Sequence, residues 1–333
     1  MKKQIAVIAG GDSGEFEISI KSGKMVAGAI DPSLYEVLLI TIKGSNWYYD
    51  YNGKRIQVDK NDFSVTIENR RITFDCVFCA IHGTPGENGK LPAYFEMLSI
   101  PYTSCDSLTS ALTFNKNLCN RVVAGFGANI SPSVHFFQKD KIEPQSILKS
   151  MNLPVFVKPN AGGSSVGMSK VKQPEELMPA IEKAFREDSE ILIEEFVEGR
   201  ELTCGVMETQ GRMYVFPICE IISKKEYFDF EAKYDPSLAS EILPAPIPEK
   251  LELEIKETSA YLYKKLNCHG VVRFDYIYSK NRKKLFFLEV NTVPGLTGES
   301  IVPKMAGEMG IPLKELFSML IEDAIDRHSV GTR

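Results

Sequence analysis

At 333 residues, 44% hydrophobic and 25% charged, the chain is longer than one ordinary hydrophobic core serves, and two or three domains are expected. A net charge of −5 with no basic block argues against nucleic acid or an anionic membrane as the main partner. No stretch approaches the roughly 18 apolar residues of a membrane span, and the first apolar run is too short for a signal peptide, so a cytoplasmic location is expected.

Residues 4–9 read as a short apolar strand, followed by a glycine turn, an amphipathic stretch over 18–30 and a second strand over 35–42. This order predicts a doubly wound parallel sheet. From 47 to 72, short aromatic and β-branched pieces alternate with Asn-Gly and Asn-Arg-Arg turns, which suggests added hairpins. Residues 75–81 read as a buried strand containing Cys76 and Cys79. No second C-x-x-C or nearby Cys/His pair completes a zinc site, so these thiols are read as core. Seven scattered cysteines fit a reduced compartment. A glycine-rich loop at 82–89 and a helix over 91–98 follow.

Residues 107–126 have helical period and 131–154 return to mixed structure. A strand at 155–157 enters a glycine loop at 162–167, and 175–185 reads as a helix. Residues 191–197, 202–207 and 214–222 read as strands of a second sheet. The stretch 223–248 is polar, carries aromatics and prolines, and has no period, the pattern of a functional or mobile segment. A helix over 251–266, two strands at 271–278 and 285–290, and a closing helix complete the chain.

The last two strands, joined by a charged turn, predict an antiparallel hairpin. Side chains alternate across a strand, so Arg273 and Asp275 share one face, as do Glu289 and Asn291. Paired, these faces gather two carboxylates, an amide oxygen and a guanidinium. Such hard oxygen donors suit Mg²⁺, and a solvated strand face with surface ion pairs is the other reading. The loop from Lys158 to Gly167 lets backbone N–H groups approach a phosphate, or is a plain hairpin loop. It lacks a Walker ending, and no G-x-G-x-x-G follows the first strand, which argues against a dinucleotide-binding dehydrogenase. The acidic strand end at Glu194, Glu195 and Glu201 could meet a base edge and a ribose, or simply face solvent. Glu15, beyond the carboxyl end of the first strand, could hold an ammonium group or favour the helix that follows. His82 is similarly placed, and a lone histidine is more often structural.

Taken in order, GGDSGEFEIS, HGTPGENG, IPYTSCDSLTSALTFNK, VKPNAGGSSVGMSKV, IEEFVEGRE, YFDFEAKY, GVVRFDYIY and LEVNTVPGLTGESIVP resemble the D-alanine–D-alanine ligase family of the ATP-grasp superfamily. The resemblance is co-linear over nearly the whole chain. It implies an α/β (α+β) ATP-grasp fold: an N-terminal domain over 1–104, a central subdomain over 105–190, and a C-terminal subdomain over 191–333 with an ω-loop at 223–248. ATP would lie between the last two.

The same resemblance implies that Lys116 and Lys158 meet the nucleotide phosphates beneath a lid at 162–167 that includes Gly163 and Ser165. Glu194, Glu195, Phe196, Val197 and Glu201 would take adenine and ribose. Asp275, Glu289 and Asn291 match ligands of two Mg²⁺ ions, with Mn²⁺ as a substitute. A D-alanine carboxylate would attack the γ-phosphate, and the amine of a second D-alanine would attack the resulting acyl phosphate. Arg273 and the Gly295 N–H match the oxyanion donors of that second step. Glu15 would bind the first ammonium group, Ser300 and Ile301 the second carboxylate, and His82 joins the substrate site. Ser164, Tyr234 and Glu15 would latch the ω-loop, which also carries Lys233. A homodimer and a role in peptidoglycan precursor synthesis follow from the resemblance.

Four positions depart from the commoner pattern: Phe16, Phe230, the Lys90-Leu91-Pro92 run and Glu299. Ligases that use D-lactate usually carry a histidine near Tyr234, so Glu-Ala-Lys-Tyr favours D-alanine over D-lactate, with D-serine a further alternative for the second substrate. Intact Arg273, Asp275, Glu289, Asn291 and Lys233 argue against a non-catalytic relative.

Overall fold

A computed structural model describes residues 2–223 and 239–331. Among these residues the strands form three sheets. The first contains β1 (Lys3–Gly10), β2 (Tyr35–Lys43), β3 (Asn46–Tyr51), β4 (Lys54–Asp59), β5 (Ser64–Ile67), β6 (Arg70–Ile72) and β7 (Cys76–Cys79), in the order β6-β5-β4-β3-β2-β1-β7. β1 runs parallel to β2 and β7, with α1 (Phe16–Ala29) crossing over between β1 and β2. Covered on both faces, β1 reads as an unbroken apolar run, and Ile5 to Ala9 are fully buried. The remaining strands of this sheet are the antiparallel hairpins that the Asn-Gly and Asn-Arg-Arg turns announce.

Next come α2 (Lys90–Met97), α3 (Ser107–Phe114), α4 (Lys116–Gly125) and β8 (Asn129–Ile130). The single helix expected over 107–126 is two, because Asn115 is extended and its side chain accepts from Leu118 N. An asparagine does better as an N-cap than inside a helix, and this one places Lys116 on the first turn of α4.

The middle sheet consists of β9 (Ser133–Phe137), β10 (Val155–Pro159), β11 (Ser169–Val171) and β12 (Glu190–Glu195), antiparallel in the order β11-β10-β12-β9. α5 (Pro144–Ser150) and α6 (Leu177–Ala184) cover one face around a core that includes Ile147, Val157, Ile181 and Ile193.

The third sheet takes β13 (Arg200–Thr209), β14 (Arg212–Val215), β15 (Cys219–Ser223), β16 (Ala239–Ile242), β17 (Val271–Ser279) and β18 (Lys284–Asn291). Its order is β16-β15-β13-β17-β18-β8, with β14 paired to β13. α7 (Glu249–Lys265), α8 (Ile301–Glu308) and α9 (Leu313–Gly331) complete the described chain.

Two expectations are corrected. Residues 191–197 do not share a sheet with 202–207 and 214–222: β12 pairs with β9 and β10, and the chain crosses to the third sheet at Gly199. A Cβ at Gly199 would lie 2.4 Å from the Tyr278 carbonyl oxygen, so only glycine passes there. A boundary after residue 190 therefore separates β12 from its own sheet. The helices of 107–125, expected with the central part, pack instead on the third sheet, where Cys119 and Val123 share a core with Leu202, Phe274 and Tyr276. α9 joins the first and third sheets through one core containing Ile5, Phe78, Phe216 and Phe317.

Candidate active site

A cavity of about 480 Å³ opens between the middle and third sheets. Strand alternation builds its first wall. On β10, Val155 and Val157 enter the core while Phe156 and Lys158 turn to the cavity. Phe156 stands opposite Glu194 in the β10–β12 register, and Lys158 Nζ reaches Glu194 Oε2 at 2.5 Å. Asn120 Nδ2 donates to Glu194 Oε1 at 3.0 Å. The charged pair is thus held from both sides in a site that is nearly closed to solvent. Phe196 packs edge-on against Phe156, carries Lys170 Nζ 3.6 Å from its ring centroid, and gives its N–H to Pro154 O. Val197 and Glu201 line the same cavity. Glu195 lines it too, but its carboxylate accepts from Asn152 and faces Arg282.

The opposite wall is the β17–β18 hairpin. Arg273 stands across from Asn291 and Asp275 across from Glu289, as alternation requires. Arg273 donates to both Asp275 oxygens at 2.8 Å, Thr203 Oγ1 donates to Oδ1, and Asn291 Nδ2 donates to Oδ2 at 2.9 Å. Burial opposes the Arg273 charge, but the Asp275 carboxylate outweighs it and holds the guanidinium above its ordinary pKa. Lys116 Nζ, placed by the Asn115 cap, lies 3.6 Å from Glu289 and donates to Gly162 O at 2.7 Å.

A bulge in β18 pairs Asp275 with Glu289 but Tyr276 with Phe287. It lets Leu288 and Glu289 both line the cavity while Phe287 and Val290 both enter the core. Leu288, Phe156, Met168 and Ile277 form an apolar floor that motif reading did not find. A large apolar side chain on the face of β10 turned away from the core was the available signal for Phe156. The bulge left none for Leu288.

The glycine loop closes against the first domain. Ser164 Oγ donates to Glu15 Oε1, and a Cβ at Gly163 would fall 2.5 Å from Glu15 Oε2. Ser164 and Ser165 both adopt positive φ. Gly295 lies against Ser300, whose hydroxyl accepts from Thr297 N at 3.1 Å at the start of α8. Ile301 opens that helix. His82 is buried with both ring nitrogens engaged, at 2.8 Å to Val293 O and 2.9 Å to Ser22 Oγ. Burial drives its pKa down, with Val293 O opposing. Glu87, absent from the motif-derived site, accepts from Gly83 and Val293 N–H groups, and burial pushes its carboxyl up to about 7. Lys233 and Tyr234 lie outside the described residues.

Three oxygen-bearing side chains, Asp275, Glu289 and Asn291, stand together. Among the described residues no three His, Cys, Asp or Glu groups are spaced to hold a metal alone. That donor set fits Mg²⁺, which takes one or two carboxylates and fills its shell with phosphates and water.

Two α+β layers closing on a cavity, with the Lys158–Glu194 pair on the middle-sheet wall and Lys116 and Glu289 on the third-sheet wall, are the arrangement of an ATP-grasp ligase. The family models described as D-ala D-ala ligase N-terminus and C-terminus match residues 4–105 and 122–322. The chain belongs to the D-alanine–D-alanine ligase family. It is 45% identical over 321 residues to the D-alanine--D-alanine ligase of Flavobacterium johnsoniae, covering 96% of this chain and 98% of that one. Among solved structures, the VanG D-Ala:D-Ser ligase of Enterococcus faecalis superposes with a TM-score of 0.85 at 32% identity, covering 97% of this chain and 100% of that one. The Bacillus anthracis D-alanine--D-alanine ligase complexed with ATP gives 0.79 at 27% identity, covering 99% of each chain.

Proposed function

We infer that this chain joins two D-alanine molecules into D-alanyl-D-alanine while ATP is cleaved to ADP and phosphate, for peptidoglycan precursors. The observation that carries the reading is the hairpin patch of Arg273, Asp275, Glu289 and Asn291 facing Lys116. It stands in a chain that matches ligases of this name from end to end. The reading includes a homodimer and a cytoplasmic location.

ATP enters the cavity with its base on the floor of Phe156, Met168, Ile277 and Leu288. Lys158 reaches the phosphates, Glu194 and the strand end beside it meet the base edge, Glu195 braces that strand end through Asn152, and Glu201 takes the ribose. Lys116, Gly163 and Ser165 surround the phosphates. Asp275, Glu289 and the Asn291 carbonyl oxygen would hold Mg²⁺, or Mn²⁺ in its place, and bound metal supplies charge neutralisation to the transferring phosphoryl group. Glu15 binds the ammonium group of the first D-alanine. Its bond to Ser164 ties the lid to the site of the first substrate.

The first carboxylate attacks the γ-phosphate, forming an acyl phosphate and releasing ADP. The second D-alanine is oriented by Ser300 Oγ and the Ile301 N–H, using the positive end of α8. Its amine attacks the acyl carbon. Arg273 and the Gly295 N–H donate to the oxygen that becomes negative, and phosphate departs. The resemblance gives Lys233 and Tyr234, outside the described residues, the task of keeping water from the acyl phosphate.

The resemblance of 227–234 and the names of the curated relatives support D-alanine as second substrate. The 32%-identical D-Ala:D-Ser enzyme makes D-serine the competitor to test. A coupled ADP-release assay across D-alanine, D-serine, D-lactate and L-alanine tests the reading. Turnover with D-alanine alone is expected, and preferential use of D-lactate or D-serine at neutral pH would overturn it.

A further inference from the structure

Both backbone groups of Val293 are held by side chains from the loop at 82–89. The Val293 N–H donates to Glu87 Oε1 at 3.0 Å, and its carbonyl lies 2.8 Å from His82 Nδ1. A carbonyl cannot donate, so His82 carries its proton on Nδ1. Nε2 is then the bare nitrogen, and the Ser22 hydroxyl donates to it at 2.9 Å. The other Glu87 oxygen accepts from Gly83 N–H at 2.7 Å, which fixes the carboxylate in its own loop. His82 is 5% exposed and Val293 4%, so water does not compete for the bond between them.

Val293 lies two residues past Asn291 and two before Gly295. The segment Thr292-Val293-Pro294-Gly295 belongs to neither helix nor strand, and Pro294 has no N–H to anchor it. It is held from the first domain by the grip on the two peptide groups that flank the Val293 Cα and by the Val293 side chain, which enters the apolar core of the first sheet. A displacement of about 1 Å in a catalytic donor costs on the order of a hundredfold in rate, so this grip bears directly on the Gly295 N–H.

We propose that Glu87 and His82, with Ser22 bracing the His82 ring at Nε2, are positioning residues that set the Gly295 N–H for the second half of the reaction. The proposal rests on the ligase reading above. Neither side chain lines the cavity that takes ATP. Loosening the grip slows amine attack and leaves phosphoryl transfer in place. The waiting acyl phosphate is then cleaved by water to D-alanine and phosphate, and ATP use becomes uncoupled from dipeptide formation.

The test compares the full-length parent with Glu87→Gln and Ser22→Ala, measuring ADP, phosphate and dipeptide in the same reactions. Glu87→Gln keeps the shape but loses one acceptor. It is expected to lower dipeptide kcat about tenfold or more, leave the KM for ATP unchanged, and raise phosphate released per dipeptide above one. Ser22→Ala is expected to move in the same direction by less. The chain has four histidines, so imidazole NMR can follow His82: an Nδ1–H tautomer in the parent, kept in Ser22→Ala because Val293 O still accepts from Nδ1. The proposal is overturned if Glu87→Gln makes dipeptide at the parent rate with one phosphate each. It is equally overturned if ADP and dipeptide fall together or the KM for ATP rises. An Nε2–H tautomer in the parent would also sink it. Failure of the ligase reading would appear in the parent itself, as no ADP release dependent on D-alanine.

Discussion

The β17–β18 hairpin and the loop at 82–89 serve the same patch of the molecule by opposite routes. In the hairpin, register sets Arg273 across from Asn291 and Asp275 across from Glu289, and of the bonds to Asp275 named above only that of Thr203 comes from outside it. In the loop, Glu87 and His82 hold the backbone of a residue more than 200 positions away, a target that exists only once the sheets are assembled. The hairpin encodes the chemistry in a local period. The loop encodes an alignment that no local period contains.

The strongest test of that contrast is Arg273→Ala. It removes a donor aimed at developing charge, for which about 10²–10³-fold in kcat is expected. It also leaves the buried Asp275 without its bidentate partner, which costs about 3–5 kcal/mol of stability. Steady-state kinetics with thermal unfolding check both, and parent-like kcat would remove Arg273 from the mechanism.

Glu87 offers the next largest effect. Burial, then Glu15, then Glu289 raise its carboxyl from an ordinary 4.5 to about 7, against the N–H groups of Gly83 and Val293. A folded value above the unfolded one means a contribution that is full below about pH 4.5 and lost as pH rises through about 7. Against Glu87→Gln, which does not titrate, the parent is expected to lose about 3 kcal/mol across that interval. Urea unfolding of both proteins at several pH values measures it. Parallel curves would mean the carboxyl is not enclosed.

Gly163→Ala places a Cβ against Glu15 and pushes the lid outward. Overpacking of about 1–3 kcal/mol makes a roughly tenfold loss of kcat the expected outcome. An unchanged rate would show that the Glu15–Ser164 contact is dispensable.

The smallest effect is expected from Asn120→Ala. The variant loses a hydrogen bond to the Glu194 carboxylate. It also removes Asn120 Oδ1, a buried atom with no hydrogen-bond partner among the described residues. These contributions are of similar size and opposite sign, so a net change within about 1 kcal/mol is expected, with a roughly threefold rise in the KM for ATP. A loss of several kcal/mol would mean that Oδ1 is satisfied by an ordered water.

Sequence legibility followed the same division. Alternation put Arg273 with Asp275 and Glu289 with Asn291, and the hairpin sets these two faces against each other in the structure. The Leu288 bulge, the Asn115 break and the pairing of β12 were not legible, because each depends on what a neighbouring strand or helix accepts. His82 was visible as a residue, but its partners Ser22 and Val293 were not. Glu87 lay inside a quoted motif and drew no separate notice, since an acidic residue beside glycines is indistinguishable from a solvated turn until its enclosure is known.

The core around α9 has a mechanical consequence. Because Ile5, Phe78, Phe216 and Phe317 belong to one apolar cluster, the first and third sheets share an anchor, while the middle sheet packs only around its own. Native-state hydrogen exchange is therefore expected to divide the molecule into two cooperative blocks. The larger block carries Arg273, Gly295 and both ends of the grip on Val293, and the smaller one carries the glycine loop. A movement of the smaller block that opened the cavity would break the Ser164–Glu15 bond and leave that grip intact.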